Sequence, residues 1–188
     1  WAQWVAEALA LPFTNLAADG ALTADVLRAQ LPRLSGPYDL GLLYTGVNDA
    51  RGTAWDAAAY ERDVRVATAA LRDACTRVLV LTLPEDLGRP SCAPKPAQAN
   101  AALRRLDGVE LAELADFGGP RLVLPDAVHP TSAGMVEIAR RATAVLGVPA
   151  PDEAVPRPGA RYAGWWARLW LADAIRRARE RRQYAAGR

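Results

Sequence analysis

Tyr38-Asp39-Leu40-Gly41-Leu42-Leu43-Tyr44-Thr45-Gly46-Val47-Asn48-Asp49 begins as a mostly apolar run of strand length and ends in a turn signal. Similar runs at residues 13–17 and 78–83, with a weaker one at 109–114, predict further strands. Helical spacing falls between them. Trp1, Trp4, Val5, Ala8 and Leu9 line one helical face; Leu22, Val26, Leu27, Leu31 and Leu34 line a second; Tyr60, Val64, Ala67, Leu71 and Cys75 line a third. A last body helix is expected over 132–146, ending before Gly147. Strands alternating with helices predict an α/β fold in which a parallel sheet is covered on both faces. In such sheets ligands bind beyond the carboxyl ends of the strands, which is where Gly46 to Asp49 fall. An Asn48 amide there can donate to a developing oxyanion. Asn and Asp also follow strands simply because they turn well.

The only histidine, His129, lies in Asp126-Ala127-Val128-His129-Pro130, directly before a helix start at Thr131-Ser132-Ala133-Gly134. Neutral imidazole takes a proton from a hydroxyl near pH 7, and a carboxylate on its other ring nitrogen fixes the tautomer and stabilises the imidazolium. Pro130 biases His129 toward extended dihedrals, so the ring projects from a loop at the edge of the helix. Earlier in the chain, Phe13-Thr14-Asn15-Leu16-Ala17-Ala18-Asp19-Gly20 reads as strand, loop and helix entry, with an unobstructed N–H at Gly20.

In this order, the three segments resemble the SGNH hydrolases, also called the GDSL esterase/lipase family. Gly20 matches that family's second block, Gly46-Val47-Asn48-Asp49 the third, and Asp126-Ala127-Val128-His129-Pro130 the fifth. The resemblance spans residues 1–146 and implies a three-layer α/β/α, flavodoxin-like fold. It also implies that His129 is the general base, that Asp126 orients it, and that Gly20 and Asn48 form the oxyanion hole. The family's serine nucleophile follows its first strand in a Gly-Asp-Ser context, and no such block occurs here. Ser35, Ser91 and Ser132 are the serines present, and none lies in Gly-Asp-Ser or Gly-x-Ser-x-Gly. We therefore expect an amino-terminally truncated serine ester hydrolase. It should have no nucleophile in this chain, lack the first, central strand, and be inactive as residues 1–188. The alternative is a non-catalytic ligand-binding module derived from the same fold.

A chain of 188 residues that is 51% hydrophobic suits one core burying about 70% of its unfolded surface. No metal or organic cofactor is expected, since one His and two distant Cys make a poor zinc site. Lysine occurs once, at Lys95. Arginine richness beside alanine richness reads as coding bias, and with no Gly-rich phosphate loop no nucleic-acid partner is expected. Cys75 falls on a core-facing helical stripe and Cys92 in a proline-rich loop; a disulfide and reduced thiols both remain open. A cytoplasmic location is the working expectation.

Residues 147–160 read as a stiff proline-rich linker, and 161–188 as a helix with tryptophan on one arc and arginine toward its end. That tail carries eight arginines against Asp173 and Glu180, a charge of +6 within a net +2. Trp165, Trp166 and Trp170 either pack on the body, the preferred outcome, or sit at a lipid surface with arginine against anionic headgroups. The second outcome would give peripheral membrane contact and tilts the small-molecule ester substrate toward acyl or lysophospholipid esters.

Overall fold

The computed structural model describes residues 1–151 and 160–186. Most of the proline-rich linker, 152–159, thus lies outside the described residues. Three parallel strands form one sheet in the order β1-β2-β3: β1 (Tyr38–Leu43), β2 (Cys75–Leu81) and β3 (Glu110–Ala112). In register, Leu42 stands beside Leu79 and Leu81 beside Ala112.

Period-two alternation in the central strand sets the layers. Val78 and Val80 enter one core, while Leu79 and Leu81 enter the other, so the run Val-Leu-Val-Leu is buried on both faces. On the first face lie α4 (Ala57–Ala74) and α5 (Lys95–Leu103), contributing Tyr60, Val64, Ala67, Leu71, Ala99 and Leu103. On the second lie α1 (Ala2–Ala8) and α6 (Ser132–Leu146), contributing Val5, Ile138, Ala139, Ala142 and Leu146. The result is the three-layer α/β/α arrangement read from the sequence. Helix starts are capped where the sequence supplies an acceptor: Asp56 accepts from the N–H groups of Ala58 and Ala59 at α4, and Thr131 from that of Gly134 at α6. Past the end of β2 the wholly buried Asn100 accepts from the Leu83 N–H at 2.7 Å and donates to the Leu83 carbonyl at 2.9 Å. Both backbone groups are thereby satisfied where the ladder has stopped.

Three local expectations are corrected. Residues 13–17 are not a strand: the Asn15 side chain accepts from the Ala17 N–H at 3.0 Å, turning the chain locally, and no strand pairs with the segment. The stripe from Leu22 to Leu34 is not one helix. It passes from α2 (Thr23–Asp25) through a π turn (Val26–Gln30) to a 3-10 turn (Leu31–Arg33), because Pro32 lacks the N–H a regular helix would use. Cys75 is not helical but opens β2, its backbone extended at φ −131°, and it pairs with Tyr38 of β1 in register. Both cysteines are free.

A cavity of about 550 Å³ lies along β1. Leu40 and Leu42 line it from one face of the strand, Gly41 and Leu43 from the other, with Phe13, Leu16 and Met135 opposite. Residues of both faces border one space only at a strand's edge, and this edge of β1 has no neighbour among the described residues.

Candidate active site

Beyond the carboxyl end of β1 the chain reverses at Gly46, whose φ of +110° belongs to glycine. A Cβ there would also stand 2.6 Å from the Tyr60 hydroxyl, which donates to the Thr45 carbonyl. This tight turn starts the short helix α3 (Val47–Arg51) and brings Asn48 and Asp49 against Ala21 and Thr23. The Asn48 amide donates to the Ala21 carbonyl at 3.0 Å. Asp49 accepts from the Thr23 N–H at 3.1 and 3.2 Å and from its hydroxyl at 3.1 Å. Burial holds the Asp49 carboxyl above the ordinary aspartate value, against the opposing pull of the Thr23 bonds.

These contacts tie the segment that follows Gly20 to Asn48 and Asp49, although the two segments are far apart in sequence. Gly20 is exposed, with φ +73°, and its N–H donates to no group among the described residues. An amide side chain has two N–H donors, and the contact with Ala21 uses one of those on Asn48.

The Asp126 to His129 segment is a turn closed at its base. The His129 carbonyl accepts from the Leu124 N–H at 2.7 Å, Thr131 N–H donates to Leu122, and Val123 bridges Pro130 antiparallel. Within the turn, His129 Nδ1 stands 2.6 Å from Asp126 Oδ2, and Asp126 Oδ1 accepts from the N–H groups of Val128 and His129. Burial raises the Asp126 carboxyl, but the bonds from the His129 ring and the two backbone groups outweigh it and leave it below its ordinary value. The imidazole is 72% exposed, and nothing among the described residues bonds its Nε2. This geometry fixes a proton on Nδ1 and leaves Nε2 as the free base.

Arg51 joins the two halves. Three residues after Asn48 on α3, it donates to the carbonyls of Leu87 at 3.1 Å and Asp126 at 3.2 Å. Arg51, Thr23 and the positive φ of Ala127, +61°, were not singled out from the sequence. Each depends on a partner distant in the chain, and the spacing of Arg51 from Asn48 was the one available hint.

The serines stand elsewhere. Ser35 bonds the Tyr38 hydroxyl at the amino end of β1, a strand length of about 20 Å from the Asn48 end. Ser91 lies in the 3-10 turn Pro90–Cys92, and Ser132 is the first residue of α6. Among the described residues no group of three His, Cys, Asp or Glu side chains could hold a metal ion.

A sheet of three parallel strands with helices on both faces defines a three-layer α/β/α architecture. The fold is similar to the crystal structure of LAE5, an alpha/beta hydrolase enzyme from the metagenome of Lake Arreo, Spain. The TM-score is 0.61 at 19% sequence identity, over 77% of this chain and 81% of that one. No curated protein matches the chain. The sequence profile of the GDSL-like Lipase/Acylhydrolase family matches residues 1–137, and the chain belongs to that family. Membership and fold together support a hydrolase of the esterase or lipase kind.

Proposed function

We propose that this chain carries the acid–base and oxyanion groups of a serine carboxylic-ester hydrolase. The observation that carries the reading is the His129–Asp126 pair, 2.6 Å apart, with Nε2 open to solvent. A serine hydroxyl attacks the ester carbonyl while His129 Nε2 takes its proton; Asp126 holds the ring and offsets the imidazolium charge. The tetrahedral oxyanion accepts bonds from the Gly20 N–H and the Asn48 amide, together with the serine's own N–H. Collapse breaks the bond to the leaving alcohol, which receives the proton from His129. Water then repeats the sequence on the acyl-serine and releases the acid.

The serine is supplied from outside residues 1–188, so these residues alone do not turn over ester. This reading is supported by the positions of Ser35, Ser91 and Ser132, none of which bonds His129. Acyl or lysophospholipid esters are the favoured substrates, supported by the arginine-rich final helix and its exposed Leu171 and Ile175. A serine-directed fluorophosphonate, reacted with the protein as encoded and followed by peptide mapping, tests the assignment. The adduct is expected on a serine outside residues 1–188. An adduct on Ser35, Ser91 or Ser132 that requires His129 would overturn the external nucleophile, and no adduct at all would favour a non-catalytic binding module.

A further inference from the structure

The turn that carries Asp126 and His129 is not self-supporting. At its tip Ala127 has φ +61°, a left-handed conformation that L-residues other than Gly and Asn rarely hold without outside support. Three elements supply that support. Arg51 holds the Asp126 carbonyl from α3. The loop after β2 closes on the tip so tightly that a Cβ on Gly88 would lie 2.9 Å from the Ala127 Cβ and 3.1 Å from the Asp126 oxygen. The third is α7 (Ala160–Ala186), the helix that follows the proline-rich segment and lies beyond the residues matched by the family profile.

On α7 the Arg177 side chain is only 15% exposed. Its guanidinium lies over the Trp170 ring, 5.8 Å from the centroid, and is oriented by Asp173, which is itself 7% exposed and also accepts from Arg176. From there it donates to the Pro125 carbonyl at 3.4 Å and stands 3.5 Å from Asp86. A largely buried ion pair in the middle of a helix is costly unless the remaining N–H groups of the guanidinium are aimed at something. Here they are aimed at the residue before Asp126.

We propose that Arg177 is a positioning residue for the Asp126–His129 pair, so that docking of α7 sets the geometry of the base. Arg51 and Arg177 hold the carbonyls of Asp126 and Pro125, and the left-handed Ala127 between these bonds and Val128 keeps Oδ2 on Nδ1. Releasing one carbonyl lets the turn relax and the imidazole lose its fixed tautomer. The inference rests on the pair described above, but not on the identity of the substrate.

Because His129 is the only histidine of residues 1–188, its ring nitrogens give a single pair of ¹⁵N signals in that stretch. With the turn held, the neutral ring carries its proton on Nδ1; a released ring moves toward the Nε2–H tautomer that free imidazole side chains prefer. Arg177→Met keeps the aliphatic stem against Trp170 and removes the donors. Arg177→Lys keeps a cation on Asp173 and a donor for Pro125. The expected result is a shift toward Nε2–H in Arg177→Met and its recovery, at least in part, in Arg177→Lys, while Leu171→Glu on the exposed side of α7 changes nothing. An unchanged tautomer in Arg177→Met, or equal loss in Arg177→Lys with the Trp170 indole signal still at its docked position, would overturn the proposal. If Arg177→Met undocks the helix, Arg177→Lys decides by the same criterion. An Arg177-dependent tautomer in a protein without ester turnover would leave the positioning intact and remove only the ester chemistry.

Discussion

At the scale of single residues, the two carboxylates of the site face opposite electrostatic conditions. Asp126 lies below its ordinary value, so the stability it contributes is present above an unfolded pKa of about 3.9 and is lost as pH falls through its lower folded value. Asp49 lies above its ordinary value because burial outweighs its bonds to Thr23, so what it contributes is present at low pH and is lost as pH rises through its folded value. Carboxyl ¹³C titration should therefore place Asp49 above and Asp126 below the free aspartate midpoint; coincident midpoints would contradict both assignments. The catalytic roles give a separate expectation. In the protein as encoded, His129→Ala should lower kcat by about a thousandfold or more, and Asn48→Ala by roughly a hundredfold to a thousandfold, with KM little changed, because both groups act on the transition state. Steady-state kinetics on a nitrophenyl ester checks this, and wild-type kcat in both variants would remove these residues from the mechanism.

At the scale of elements, α7 has two sides. Trp170 packs against the second core, and its buried Nε1 has no partner among the described residues. The side chains of Trp165 and Trp166 lie outside the described residues. The other side carries Leu171, 64% exposed, and Ile175, one turn on, flanked by the exposed Arg168, Arg179, Arg181 and Arg182. No helix among the described residues is long and apolar enough to cross a membrane. An outer stripe of this composition carries the expectation of salt-sensitive binding to anionic vesicles, with about 1 kcal/mol per arginine near the surface as the upper scale. Vesicle co-sedimentation of wild type and Leu171→Glu/Ile175→Glu at low and high salt checks it. Binding that ignores both salt and the substitutions would assign α7 to packing alone. Trp170 does not enter that test, since its ring is committed to the body.

At the scale of the whole molecule, the cavity of about 550 Å³ along β1 borders an edge strand that has no neighbouring strand on one side among the described residues. Apolar walls from both cores border it, a combination that recruits another strand or another molecule. Residues 1–188 in isolation should associate with rising concentration and show fast amide exchange at the β1 edge. Sedimentation velocity together with hydrogen exchange measures both. A strictly monomeric chain with a protected β1 edge would mean that the cavity is closed in solution.

What the sequence determined by itself was local. The run at residues 78–83 announced a strand because an unbroken apolar, β-branched stretch of that length is a local signal, and the structure makes it the middle strand of the three, with Val78 to Leu81 buried on both faces. Asp126 and His129 were legible as a pair because both sit in one turn, with Pro130 forcing the ring out of the helix that Thr131 then caps. What only the tertiary structure decided were matters of partnership. Residues 13–17 had a strand's composition, but a strand exists only with a neighbour to bond, and Asn15 satisfied the chain locally instead. That Asn48 reaches Ala21, that Arg51 and Arg177 hold adjacent carbonyls, and that Trp170 turns inward while Leu171 faces out follow from which surfaces meet after the chain has closed. Hydrophobic period and turn chemistry are properties of neighbours in sequence, whereas hydrogen bonds between distant segments are made by whatever the packed layers bring within about 3 Å.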